Sequence, residues 1–542
     1  MERKMIKRHI SRRESLKLLA AAGLGGVAAS IGAVRFAYSQ DGKVLVIGLD
    51  ISDTNSFDPG RQFVYSAPIT MHATYDSLVT MKPGEYETVL PSLASSWDIV
   101  DGGAALVFHL RDGVKFSSGN PLTAEDVKFS LERLINLKDN PSELASNIAS
   151  VEIIDPLTVK IVTKDKTQPL LTLLVGPTFA VSDSKVILEQ GGTSAPGADT
   201  TDKATSWLDT HSAGSGPYVL VRWEPNVQVV LEANANYWGE TPKFSRIVLQ
   251  HIAESATQLI TLERGDIQAA LNLTSQQLDG LKDNTDIALV EGNSLDYVYM
   301  TLTSGADINP NLAIKEARQA IAYAINYDEI INGLVGGHAT RPPTFIPNGL
   351  GGMTEELTKE IGYRYDPEKA KALLKQAGLE GGFSFDLSYG DASVAGTTYA
   401  LIAQTIQSQL AAIGITANLQ PLDQSTARDK YRAGELASFL TFWNPDAPEA
   451  WTWASASVQR VAKRVRWEVP AELTELVAKA GGATSPEESR KLYRDYALAL
   501  IDNTNYVIIL QPVYRVAVRK SIKGWAMTAT GWQVDLGTLA PA

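Results

Sequence analysis

The sequence predicts an α/β protein built in more than one lobe, and three observations carry that expectation. Its 542 residues are several domains' worth of chain, at about 100–200 residues per domain. Short apolar strand candidates alternate with helix signals along most of its length. The segment 383–422 reads as strand, helix, strand, the unit from which parallel sheets are assembled.

The elements follow in order. Lys43-Val-Leu-Val-Ile-Gly48 is a short continuous apolar run and reads as a buried strand, as does Ala105-Leu-Val-Phe-His-Leu-Arg111. Thr123 with Asp126 three residues later imitates a capping box, ahead of Val127, Leu131 and Leu134 on one helical face. Residues Val151 to Val162 form a hairpin turning at Asp155-Pro156. A second hairpin joins Tyr218–Arg222 to Val227–Leu231 around Glu224-Pro225-Asn226. The polar stretch Gly191–Thr205 reads as a loop. Asp366-Pro367-Glu368 supplies an N-cap, a proline at the first helical position and an acid in the first turn. Ala370, Leu373, Leu374 and Ala377 then form the apolar face, and Gly378 stops the helix. Thr397 to Ile413 is a helix closed by Gly414, flanked by strands Phe383–Tyr389 and Thr416–Leu422. No period of 20–50 residues recurs, so a solenoid is excluded.

Charge and composition narrow the function classes. The chain has 49 Lys+Arg against 61 Asp+Glu and no cysteine. Without cysteine there are no disulfides, thiolate metal sites or thiol nucleophiles. An acidic balance argues against nucleic acid as a partner, because phosphate contacts need basic patches. The first 39 residues carry a basic stretch with Arg12-Arg13, an Ala/Gly-rich apolar run from Leu18 to Val34, and Ala37-Tyr38-Ser39 as a cleavage site. This is the layout of an export signal, similar to the twin-arginine type but with Ser15 where that signal has Phe, so the Sec route stays open. The run is short for a membrane span, which takes about 20 apolar residues. No cysteine follows it, so lipoprotein attachment is not expected. Removing residues 1–39 leaves 41 basic against 59 acidic side chains. The expectation is a soluble exported protein, at home in a periplasm.

Catalytic motifs are sparse. Neither G-x-S-x-G nor G-x-x-x-x-G-K-[ST] occurs. His72, His109, His211, His251 and His338 are scattered without metal-ligand spacing, so no metal is expected. Asp50-Ile-Ser-Asp-Thr-Asn55 lacks the glycine and terminal glutamate of a calcium loop. A carboxylate pair suited to a secreted hydrolase could still form among the many acids. The prominent local feature is Phe442-Trp443-Asn444-Pro445-Asp446 leading into Trp451 and Trp453. It reads either as a ligand wall, with stacking faces beside a carboxylate, or as an aromatic minicore under a loop.

Seven segments in order resemble the peptide/nickel-type (family five) extracellular solute-binding proteins of ABC importers. They are Tyr75-Asp-Ser-Leu-Val79 with Leu90-Pro-Ser-Leu-Ala-Ser-Ser-Trp97; Phe108–Phe116; Asn120–Arg133; Gly214-Ser-Gly-Pro-Tyr218; Ala233–Gly239; Glu316–Asn326; and Tyr365–Leu379. The resemblance implies a two-lobed periplasmic binding protein type II-like fold with an extra inserted domain (cluster C type). By it, domain I comprises 40–88, 206–290 and 511–542, domain II 89–205 and domain III 291–510, with hinges near Glu291-Gly-Asn293 and Gln511-Pro512. It implies a non-catalytic monomer without cofactor that binds a peptide or similar amine-bearing solute and delivers it to a membrane permease with its ATPase. Opines, sugars or nickel chelates are alternatives within the same family. Two stretches carry the ligand contacts over. Gln62, Phe63 and Tyr65 fall where domain I lines the cleft. Trp443 and Asp446 fall on the family's Trp-x-x-Asp, whose Asp takes a peptide's α-ammonium, with Phe442 and Asn444 beside them as further contacts. The position where the dipeptide branch has a carboxylate-capturing Arg is near Ser393, with no Arg beside it; Arg428 and Arg432 remain as substitutes.

Overall fold

The structure, a computed structural model, describes residues 43–542 apart from 63, 65, 87, 167–168, 444–447, 484 and 529–533. The export signal and four of the expected site residues, Phe63, Tyr65, Asn444 and Asp446, therefore lie outside the described residues.

Among the described residues, one large mixed sheet runs Thr416–Leu422, Ser384–Gly390, Ser438–Trp443, Tyr297–Leu302, Tyr506–Arg519, Ala269–Ala270, Val44–Leu49, Arg246–His251, Gln228–Ala233, Tyr218–Glu224. The expected strand–helix–strand unit is present. Ser384–Gly390 pairs in parallel with Thr416–Leu422, and the helix Tyr399–Ala411 crosses between them. The buried face of that helix, Ile402, Ala403, Ile406 and Leu410, enters one core with Phe385, Leu387 and Ala417. The helix is shorter than its composition suggested. Thr397 and Thr398 instead pair with Ser393 and Val394 in a hairpin, and the Thr398 side chain caps the helix at Leu401. Ala395 and Gly396 both take positive φ at its turn, a geometry matched to the twist of paired strands.

A separate antiparallel sheet holds Ala94–Val100, Ala105–Leu110, Thr158–Thr163 and Ile148–Asp155. Against it packs the helix Ala124–Leu137 through Val127, Leu131 and Leu134. Its N-terminus is held as expected, with the Thr123 amide donating to Asp126 Oδ2 at 2.9 Å. The opposite side of the helix carries Arg133, whose guanidinium donates at 2.7 Å to each carboxylate oxygen of Asp58 and at 2.8 Å to Asp202. Asp202 corrects the loop reading of Gly191–Thr205. This stretch contains a helical turn, Ala198–Thr201, and delivers a fully buried carboxylate, because a buried guanidinium needs both faces of its fork satisfied.

Three of the recognised motifs meet in space. Gly214 and Gly216 lie against the backbone of Thr74 and Tyr75, where an added Cβ would stand 2.2 and 2.6 Å from main-chain atoms. Asp76 accepts Ser215 Oγ and Trp238 Nε1, both at 2.8 Å.

The long strand Tyr506–Arg519 joins the two halves of the large sheet. Its first part pairs with Tyr297–Leu302 and its second, from Val513, with Ile287–Asn293. The passage between halves occurs at Gln511-Pro512 and at residues 294–296. Buried Gln511 ties the two together, donating to Ser294 O at 2.6 Å and accepting from the Asn348 amide at 2.8 Å. Ser294 Oγ donates to Pro512 O at 2.7 Å.

Candidate ligand-binding cleft

Two cavities open beside these crossovers. The first, about 550 Å³, takes Leu273, Thr274 and Tyr514 from one half of the sheet and Val298, Ser393, Tyr399 and Phe442 from the other. The second, about 890 Å³, lies between Asn140, Glu143 and Leu173, beside the four-stranded sheet, and the helices Gln424–Ala433, Ala450–Val458 and Arg460–Arg464. Phe442, 37% exposed, lines both cavities, so they adjoin at its ring. A hollow of about 900 Å³ around Asn326, Arg341 and Tyr365 is lined from residues 326–365 alone. It does not sit between two packed units, so it is a weaker candidate despite its size.

The strand Ser438–Trp443 explains why these aromatics face the cavities. It pairs with Tyr297–Leu302, and Phe442 and Trp443 sit at its end, where the chain leaves the sheet. The Trp443 ring packs edge-on against Phe345 at 5.4 Å and lies under the Arg460 guanidinium at 4.8 Å. Trp451 lines the second cavity from the helix Ala450–Val458. Trp453, on the same helix, is fully buried in the core with Tyr496 and Tyr506. Thus one segment is both wall and core: Trp443 and Trp451 face the cavity, while Trp453 turns inward. Pro448 precedes the helix Ala450–Val458, which stands where an irregular loop was expected.

Among the described residues, hydrogen bonds cross the cleft at two places. Thr172 Oγ1 donates to Glu449 Oε2 at 2.7 Å, and Ser275 Oγ donates to Ala395 O at 2.9 Å. Of the other expected contacts, Ser393 lines the first cavity. Gln62 is buried, and its amide donates to Val64 O at 2.6 Å; it is on the wall of neither cavity. Among the described residues, no group of three or more His, Cys, Asp or Glu could hold a metal ion, and no helix is long and apolar enough to cross a membrane.

Asp296, which no sequence signal marked, stands at the crossover and lines the first cavity. Tyr514 Oη donates to its Oδ2, while Oδ1 is buried with no hydrogen-bond partner among the described residues. Burial pushes this carboxyl from 3.8 up to about 6, against the lowering effect of the Tyr514 hydrogen bond. Ionisation is therefore harder in the folded chain than in the unfolded one. The neutral acid contributes full stability at low pH, and that contribution is lost as pH rises through about 6. Asp296→Asn should melt close to the parent near about pH 4 and above it at about pH 7, with the gap opening between. Thermal melts across that range check this, and a constant gap would contradict it.

The remaining surprise is basic. Arg428 and Arg432 lie one turn apart on the helix Gln424–Ala433, Arg460 and Arg464 one turn apart on the helix Arg460–Arg464, and all four line the second cavity. The i,i+4 spacing of both pairs was visible in the sequence; that the two helices face one cavity was not.

Comparison with known proteins supplies the family. The model for bacterial extracellular solute-binding proteins, family 5 middle, matches residues 88–461. The probable D,D-dipeptide-binding periplasmic protein DdpA of Escherichia coli K12 is 29% identical over 491 residues, covering 89% of this chain and 91% of its own. The structure of HbpA2 from Haemophilus parasuis superposes with a TM-score of 0.79 at 22% identity, over 92% of this chain and all of its own. The periplasmic binding protein DppA of Helicobacter pylori, solved with the peptide STSA, superposes with a TM-score of 0.72 at 24% identity, over 92% of this chain and 98% of its own. With the two-lobed fold and a cleft between its halves, the chain belongs to the bacterial extracellular solute-binding proteins of family 5.

Proposed function

We propose that this chain is the exported receptor of an ABC importer, closing two lobes around a peptide-like solute and handing it unaltered to a permease. The observation that carries the reading is the position of the cleft. Its walls come from both sides of two crossovers, so a ligand touching both walls favours the closed form. We assign domain I to 40–88, 206–290 and 511–542, domain II to 89–205 and domain III to 291–510, with the hinge at 291–296 and 511–512. Residues 1–39 would be removed on export, and the mature protein acts as a monomer without cofactor. DdpA is named for D,D-dipeptides and the Helicobacter DppA holds a peptide, which supports peptides as the first compounds to try. Micromolar capture corresponds to about 8 kcal/mol, within reach of one charge pair, several hydrogen bonds and aromatic stacking.

Small-angle scattering and calorimetry of the mature protein against peptides and opines test this. Contraction on binding, with the ligand recovered intact, is the expected result. Turnover of an added compound without contraction would overturn it. Asp446, placed by its motif to receive a ligand ammonium, should matter strongly: Asp446→Asn is expected to weaken binding of an amine-bearing ligand by about 2–4 kcal/mol. An unchanged dissociation constant would remove Asp446 from the site.

A further inference from the structure

We infer that the solute carries a cationic nitrogen besides any α-ammonium, an amine or guanidine on an apolar stem, and that Asp296 receives it in the first cavity. The inference rests on the capture reading above and names the class of solute. Among the described residues, three charged side chains stand on the wall of this cavity: Glu254, Asp296 and Arg515. Arg515 is already matched, its guanidinium lying 3.1 Å from Asp279 and 2.9 Å from Glu291. Neither Asp296 nor Glu254 has an ion-pair partner among the described residues. The wall therefore offers negative charge that the fold leaves unbalanced, and low-dielectric walls focus its field on what enters.

Asp296 is also placed for contact. It stands on the crossover, one residue before the strand Tyr297–Leu302, so a group held there bears on the hinge. Tyr514 Oη satisfies one of its carboxylate oxygens, and Oδ1 is buried with no partner among the described residues. A buried acceptor left unpaired is unfavourable, more so when ionised, and a donor that completes it removes that cost. Rotation of a carboxyl about its Cβ–Cγ bond is soft, so Oδ1 can turn toward the cavity that the side chain borders. Beside it the wall is apolar, with Leu273, Val298, Tyr399 and Phe442. A lysine-like or arginine-like group suits this combination, laying its methylenes along apolar surface and carrying its charge at the tip. A neutral donor would complete the hydrogen bond but leave the buried charge uncompensated.

The test is calorimetry at about pH 8, where a carboxyl raised to about 6 is ionised. The probes are Ala-Ala, Ala-Lys, Lys-Ala and Ala-Arg, with the neutral isosteres Ala-norleucine, norleucine-Ala and Ala-citrulline, on the parent and on Asp296→Asn. Circular dichroism melts verify that the variant is folded, and the ranking of probes by the parent needs no variant. Expected is a preference of the parent for a lysyl or arginyl dipeptide over its neutral isostere of at least about tenfold. That preference should collapse in Asp296→Asn while Ala-Ala binding stays the same. Which of the two cations gains tells ammonium from guanidinium. Binding of the neutral isosteres as tightly as the cationic dipeptides would overturn this inference and leave the capture reading standing. A preference that survives in Asp296→Asn, or an equal loss of all ligands in the folded variant, would also overturn it. If none of these compounds, nor the peptides and opines above, binds or contracts the parent, the capture reading fails and this one with it.

Discussion

Arg133→Met is expected to destabilise the folded chain by about 3–5 kcal/mol, because it strands two carboxylates in the interior. The side chains of Asp58 and Asp202 are fully buried and that of Arg133 is 4% exposed. Both edges of the guanidinium are in use, toward Asp58 and toward Asp202. Burial alone would raise the Asp202 carboxyl, but the hydrogen bonds and charge of Arg133 outweigh it and hold the group below 3.8. A depressed carboxyl contributes stability above its unfolded value and loses it as pH falls through the folded one. Arg133→Met should therefore also flatten the acid limb of the stability curve. Arg133→Lys should recover only part of the loss, since an ammonium cannot address two carboxylates with a planar fork. Denaturant titration at neutral and acid pH measures both effects. A loss under about 1 kcal/mol would show that the three groups are already solvated.

Trp453→Ala is expected to cost a similar amount of stability, about 3–5 kcal/mol, and to leave the intrinsic affinity for ligand unchanged. Trp453 is fully buried, in the same core as Tyr496 and Tyr506. Those two tyrosines are held by hydrogen bonds to Ser457, one turn along the same helix, which limits how far this core can collapse into the space left. Trp443→Ala should behave in the opposite way. Its ring is half-buried on the cavity wall, so removing it takes a stacking face from the ligand and little from the core. Measuring melting temperature and dissociation constant for both variants separates wall from core. Equal effects of the two on ligand affinity at constant stability would refute the assignment of Trp453.

The comparison of these two tryptophans shows where the sequence runs out. They lie ten residues apart in one aromatic, proline-broken segment, and composition assigns them the same character. Trp443 ends a strand and Trp453 occupies the inner face of the next helix, a distinction made by what each element packs against. The capping box at Thr123, the N-cap at Asp366, the hairpins and the strand–helix–strand unit at 384–422 were legible because each depends on contacts within a few residues. The paired glycines of Gly214-Ser-Gly216 were legible as a motif, but their reason, the backbone of Thr74 and Tyr75, lies about 140 positions away.

Local chemistry and an ordered run of motifs thus determined the α/β class, the two-lobed fold and the solute-binding family without any coordinates. Only the tertiary structure decided which charges meet. Asp296 stands beside Tyr514, and the helices Gln424–Ala433 and Arg460–Arg464 turn four arginines onto one cavity. The physical reason is reach. Hydrogen bonding and hydrophobic periodicity act along a few residues of chain, whereas a ligand cleft is made by surfaces brought together from opposite ends of it.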